Sequence, residues 1–121
     1  MYRRHRLTGS ADFLRVRREG NSFHNRLLVL CVLPNGEGTI RFGFATSRRV
    51  GKAVVRNRLK RLLREAARHL LKEMVPGWDM VFIARSAAVE ADFHRILGAM
   101  EELAKGAGLL KGVGEKVEVD V

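Results

Sequence analysis

The sequence predicts an α+β fold, a two-layer sandwich with helices packed on a mixed sheet of about four strands. Three observations predict it. Two short, continuous apolar runs stand at residues 27–33 and 79–84, and an alternating run stands at residues 39–46. Two longer stretches, residues 53–74 and the segment after Val89, repeat their apolar residues at helical spacing. Runs of strand separated by amphipathic helix are how a small α/β or α+β domain reads, here in the order αβββαβα. At 121 residues the chain accommodates one domain over 1–121, with its core in about residues 6–104 and a tail, residues 106–121, expected to be flexible.

Each element has its own warrant. Residues 10–16 (SADFLRV) predict a short opening helix with Ser10 as its N-cap. LLVLCVL at 27–33 predicts a buried strand, and PNGEG at 34–38 a turn. In TIRFGFAT at 39–46, Ile40, Phe42 and Phe44 alternate with Arg41, Gly43 and Ala45, so the two runs read as a hairpin. Across residues 53–74, at about 100° per residue, Val55, Leu59, Leu62, Leu63, Ala66 and Leu70 share one sector. Arg56, Lys60 and Arg64 occupy one flank; Asn57, Arg61 and Arg68 extend it outward, while Arg58 falls on the opposite flank near Glu65. Pro76-Gly77 ends the helix. Residues 79–84 (DMVFIA) give a third apolar strand, and Val89, Phe93, Ile96, Leu97, Met100 and Leu103 mark a closing helix. Residues 106–114 and the Val117, Val119, Val121 alternation specify no clear element.

Charge carries the functional signal. The net charge is +10, and it is segregated: residues 1–68 hold 17 Lys/Arg against 4 Asp/Glu, residues 69–121 hold 6 against 9. Solubility needs no such segregation, so the basic half reads as a binding surface for a polyanion. Of the 23 basic residues 17 are Arg, whose planar fork binds phosphate bidentately. Like charges stacked at Arg56, Lys60 and Arg64 cost helix stability, a cost that a phosphate backbone would reverse. A solvated helix face explains the row less well, because compensating acids are nearly absent. Arg58 is left with two readings, a structural ion pair or an RNA contact.

Other chemistries find little support. Gly51-Lys52 lacks the following Ser/Thr and the earlier glycine of a phosphate-binding loop, so nucleotide triphosphate binding is rejected. His5, His24, His69 and His94 are scattered without metal-ligand spacing, and the acids form no evident general acid/base pair. Cys31, the only cysteine, reads as a packed thiol inside an apolar run, which excludes an intrachain disulfide and suits a reducing compartment. Phe42, Phe44, Phe82 and Phe93 read as core, whereas Phe13, among Arg15, Arg17 and Arg18, is the best base-stacking candidate. The N-terminus has no apolar segment of a signal peptide and no run is long enough to span a bilayer, so a soluble, cytoplasmic protein is expected.

Arg56-Asn57-Arg58 opens the basic helix, and Phe44-Ala45-Thr46-Ser47-Arg48-Arg49-Val50-Gly51-Lys52-Ala53-Val54 precedes it. With Arg6-Leu7, Asp12-Phe13, Asn25-Arg26 and Asp79 before Val81-Phe82-Ile83-Ala84-Arg85, this ordered set resembles the bacterial ribonuclease P protein subunit over about residues 6–104. The resemblance implies a protein component of an endoribonuclease whose catalytic centre lies in an RNA subunit, with no catalytic side chain and no metal ligand here. It implies two RNA partners, the catalytic RNA and precursor tRNA with a single-stranded 5′ leader, and no required protein partner. Mg²⁺ would be bound mainly by the RNA. Arg48, Arg49, Lys52, Arg56, Asn57, Arg58, Lys60, Arg61 and Arg64 would form the RNA-facing set. Phe13, Arg17 and Cys31 would line a leader-binding cleft between the sheet and the first helix, although the family often carries aromatics where this chain has Arg17 and Cys31. The family also implies a left-handed crossover, against the usual handedness rule. Two other classes stay open on composition, a structural RNA-binding protein such as a ribosomal protein, and a self-sufficient nuclease.

Overall fold

Which strands are apolar on both faces decides the sheet. The computed structural model describes residues 5–7 and 9–111. Its elements are α1 (Ser10–Glu19), β1 (Asn21–His24), β2 (Leu28–Pro34), β3 (Arg41–Thr46), α2 (Ala53–Leu70), β4 (Trp78–Ala84) and α3 (Phe93–Gly106). Short 3-10 turns occupy Arg48–Val50, Leu71–Glu73 and Ser86–Glu90. The sheet order is β1-β2-β4-β3, with β4 antiparallel to β2 and parallel to β3. This corrects the expected hairpin: β2 and β3 are not paired, because β4 lies between them. Six of the seven residues of β4 are buried, as a strand covered on both faces requires. The hairpin partner of β2 is β1, whose NSFH is exposed at three of four positions and carries no apolar strand signal.

Two clusters of side chains sandwich the sheet. On one face Leu28, Leu30 and Val32 of β2 and Met80, Phe82 and Ala84 of β4 pack with Leu59, Leu63, Ala66 and Leu70 of α2 and Ile96, Met100 and Leu103 of α3. Cutting a buried leucine such as Leu59 to alanine costs about 2–5 kcal/mol in a core of this kind. On the other face Cys31, Val81 and Ile83 pack with Val16 of α1. At ten residues α1 covers only part of that face, and the uncovered part becomes a groove.

Element ends follow backbone chemistry. Helix α1 begins at Ser10 itself; Gly9 holds the extended cap position and no side chain caps the helix, so Ser10 is not the N-cap. Helix α2 stops at Leu70, earlier than the expected Met74. A 3-10 turn follows, and Met74 is extended, buried and bridged to Leu110. Pro76 disfavours helix in the residue before it, and Gly77 takes the turn at φ 95°. Asp92 caps α3 by accepting from the Arg95 amide at 2.9 Å, which leaves Val89 outside the helix in the preceding 3-10 turn. The core continues past residue 104 to buried Leu109 and Leu110, and Leu109 accepts from the Val75 amide at 2.9 Å. The Val117, Val119, Val121 alternation lies outside the described residues.

Candidate nucleic-acid interface

The loop from β3 to α2 is built to display guanidinium groups. Val50, 5% exposed, plugs into the core and anchors the 3-10 turn Arg48–Val50. Ser47 Oγ accepts from the Arg49 amide at 3.2 Å, closing the turn. Gly51 then takes φ 123°, a conformation that residues with a Cβ rarely adopt. With its middle pinned from below, the loop leaves Arg48, Arg49 and Lys52 exposed.

Helix α2 continues that surface. Arg56, Lys60 and Arg64 are half-buried along one flank, and Asn57 and Arg61 are exposed beside them. Among the described residues, none of Arg48, Arg49, Lys52, Arg56, Lys60, Arg61 and Arg64 belongs to an ion pair. Arg56 donates from Nη1 to the Gly51 carbonyl at 3.1 Å, which ties the helix to the loop. Arg68, on the outward extension of the flank, is paired with Glu65.

Arg58 resolves differently from its neighbours. Its Nη1 donates to the Val89 carbonyl and its Nη2 to the Ala91 carbonyl, both at 3.2 Å. Its fork thus ties α2 to the segment entering α3, while Glu65 pairs with Arg68 instead.

A groove of about 690 Å³ opens where the parallel strands β3 and β4 end, beside α1. Its apolar floor is Val29, Cys31, Ala45 and Ile83 from the sheet. Its rim is Arg17 from α1, Arg48 and Arg49 from the loop and Arg85 just after β4, and no carboxylate lines it. Arg85 closes one of the runs that carry the family resemblance, but the sequence assigns it no site role: it stands far from the basic run, and only strand order brings it here. It donates from Nη1 to the Asn25 carbonyl at 2.6 Å, so its head is held in place.

Phe13 packs against the cluster of Val16, Cys31, Val81 and Ile83 on the same face of the sheet. It lines a second pocket of about 450 Å³ at the β3 edge, with Arg6, Ser10, Leu14, Phe44 and Arg64 among its neighbours. The structure therefore brings Arg17 and Cys31 together with the loop arginines, and Phe13 spans from the Cys31 cluster to the pocket that Arg64 of the α2 flank lines.

The described residues do not fit a metal. Among them no group of three His, Cys, Asp or Glu side chains is placed to hold an ion. Among the described residues the one fully buried carboxylate, Asp79, already accepts from Arg15, Arg41 and Asn35. No helix among the described residues is long and apolar enough to cross a membrane.

An α+β sandwich with an arginine-rimmed groove and an unpaired basic helix flank defines the class, a protein built around an anionic partner. Comparison with known proteins makes it particular. The family model described as Ribonuclease P matches residues 1–108. The ribonuclease P protein component of Roseiflexus castenholzii is 42% identical, over 93% of each chain. That of Caldanaerobacter subterraneus is 42% identical over 83% of this chain and 86% of its own. Among solved structures, a mutant of the Staphylococcus aureus RNase P protein superposes with a TM-score of 0.81 at 31% identity, covering 88% of this chain and 91% of that one. The Thermotoga maritima RNase P protein does so with a TM-score of 0.75 at 33% identity, over 88% and 94%. This chain belongs to the ribonuclease P protein family.

Proposed function

We propose that this chain is the subunit of ribonuclease P that binds the catalytic RNA and the 5′ leader of precursor tRNA, promoting Mg²⁺-dependent endonucleolytic removal of the leader in the cytoplasm. The observation that carries the reading is the groove at the ends of β3 and β4, with apolar floor, four arginines on its rim and no carboxylate. A single strand fits that chemistry: its phosphates meet the guanidiniums, and its sugars and bases rest on the floor. The floor residue Cys31 offers no ring, so the strand is held by Arg17, Arg48, Arg49 and Arg85 with little base preference. The α2 flank and Lys52 face the larger RNA, where unpaired cations release counterions on contact.

In this reading hydrolysis and its Mg²⁺ belong to the RNA partner. The side chains of this protein orient strands and carry no proton. The test is cleavage of precursor tRNA at low Mg²⁺ by a bacterial ribonuclease P RNA, with and without the protein. Cleavage that requires the RNA and rises sharply on adding the protein supports the reading. An RNA active alone at high Mg²⁺ and indifferent to the protein would reduce the chain to a general RNA binder.

A further inference from the structure

The groove rim does not stop at Arg85. The Arg85 amide donates to the Leu27 carbonyl at 2.9 Å and its Nη1 to the Asn25 carbonyl at 2.6 Å, so the rim is fastened to the turn between β1 and β2. That turn also walls a depression of about 270 Å³ against α3, where Arg26 and Arg95 are among the lining residues. Folding explains neither arginine. Both are exposed, and among the described residues neither belongs to an ion pair. Arg95 stands in the first turn of α3, where the helix dipole disfavours a cation and no acid within that turn offsets it. The one carboxylate lining the depression, Glu102, already accepts from Asn25 Nδ2 at 3.0 Å. Gly98, on the same stretch of α3, faces open space, with nothing within 4 Å of a Cβ placed on it.

We propose that the single strand in the groove continues past Arg85 and over the β1–β2 turn, and that Arg26 and Arg95 hold one of its phosphates there. The two arginines are then an outer subsite of the same binding track, made for the part of the 5′ leader that the groove itself cannot reach. Continuity carries the assignment: Arg85 belongs to the groove rim, Asn25 to the depression, and a hydrogen bond joins them. Two guanidiniums from different elements, converging on an open depression, suit a phosphate, which accepts from both forks. The inference rests on the reading of the groove as the leader site.

The test is binding by the reconstituted holoenzyme, this chain with a bacterial ribonuclease P RNA, under conditions that arrest cleavage. The probes are precursor tRNAs whose leaders lengthen stepwise. Arg26→Gln with Arg95→Gln should match the wild type on the shortest leaders and bind the longest at least about threefold more weakly. On the longest leader that variant should also lower the slope of log K against log salt by about 0.7, the share of one single-strand phosphate. Arg26→Lys with Arg95→Lys should keep the slope. A glutamine variant equal to the wild type at every leader length would overturn the proposal. So would an equal loss on long leaders, short leaders and mature tRNA, which would place the contact on the tRNA body or the catalytic RNA. Failure of the functional reading shows separately: the wild type itself would then gain nothing from any leader and would not stimulate precursor cleavage.

Discussion

Arg41 and Asp79 are Cα partners in the parallel β3–β4 ladder, and their side chains close a bidentate pair at the same register. Arg41 Nε donates to Asp79 Oδ1 at 2.8 Å and Nη2 donates to Oδ2 at 2.9 Å. Asn35 donates to Oδ1 at 3.0 Å, and Arg15 of α1 lies 3.4 Å from Oδ2. The carboxylate is fully buried, so one side chain locks two strands, a turn and a helix.

Removing Arg41 leaves the buried Asp79 carboxylate without its bidentate partner. Arg41→Met is expected to lower unfolding free energy by about 3–5 kcal/mol in urea denaturation, and Asp79→Leu with Arg41→Met by much less. Equal losses in both variants would mean that packing, and not the ion pair, is what matters at this site. The hydrogen bonds that Arg41 donates to Asp79 hold its pKa above the ordinary arginine value. A raised cationic pKa stabilises the fold below the unfolded value and fades only as pH rises through the folded one. Arg41 therefore contributes no pH dependence up to about pH 11, and an alkaline stability scan of wild type against the Leu/Met double variant should run parallel there.

Arg58 and Arg61 stand three residues apart and should behave as opposites. Arg58→Ala removes two hydrogen bonds to carbonyls and is expected to cost about 1.5–3 kcal/mol of stability. It should leave the salt dependence of RNA binding nearly unchanged. Arg49→Ala with Arg61→Ala should leave stability intact and reduce the slope of log K against log salt by about 1.4–1.8. Filter binding across salt, beside thermal melts, separates the two.

Gly43 is held to its size by Phe13. A Cβ placed there would lie 2.8 Å from Phe13 Cε2 and 3.3 Å from Val81 Cγ2. Gly43→Ala should therefore displace the ring at a cost of about 1–3 kcal/mol. Phe13→Leu in the same chain should recover part of that loss, giving a coupling of about 0.5 kcal/mol or more in a double-mutant cycle. Strict additivity would show that the ring yields freely.

Asn25 ties the β1–β2 turn to α3. Its Oδ1 accepts from the Leu27 and Leu28 amides at 3.2 and 2.9 Å, and its Nδ2 donates to the Ala99 carbonyl and to Glu102 at 3.0 Å. Asn25→Ala should cost about 1–3 kcal/mol. Because the Asn25 carbonyl accepts from Arg85, the same change should speed amide exchange around Arg85. Unchanged exchange there would uncouple the turn from the groove rim.

The sequence by itself determined the type of every main element except β1, the segregation of charge and the cationic flank of α2. Those are properties of spacing within a few residues: Leu59, Leu63 and Leu70 must share a face on any helix, and Arg56, Lys60 and Arg64 must share another. The run of small and basic residues at Ser47–Lys52 likewise announced a displayed loop, and its agreement with Asn25 and Asp79 pointed to the family. Tertiary structure alone decided the strand order, since inserting β4 between β2 and β3 depends on pairings across 38 residues, as from Arg41 to Asp79, which no local pattern encodes. It decided that Arg58 serves the fold while Arg61 faces outward, a matter of where the Val89 and Ala91 carbonyls lie. It also gathered Arg17, Arg48, Arg49 and Arg85 from three parts of the chain onto one rim. Local periodicity sets which face a residue occupies; only the packing of distant elements sets what that face meets.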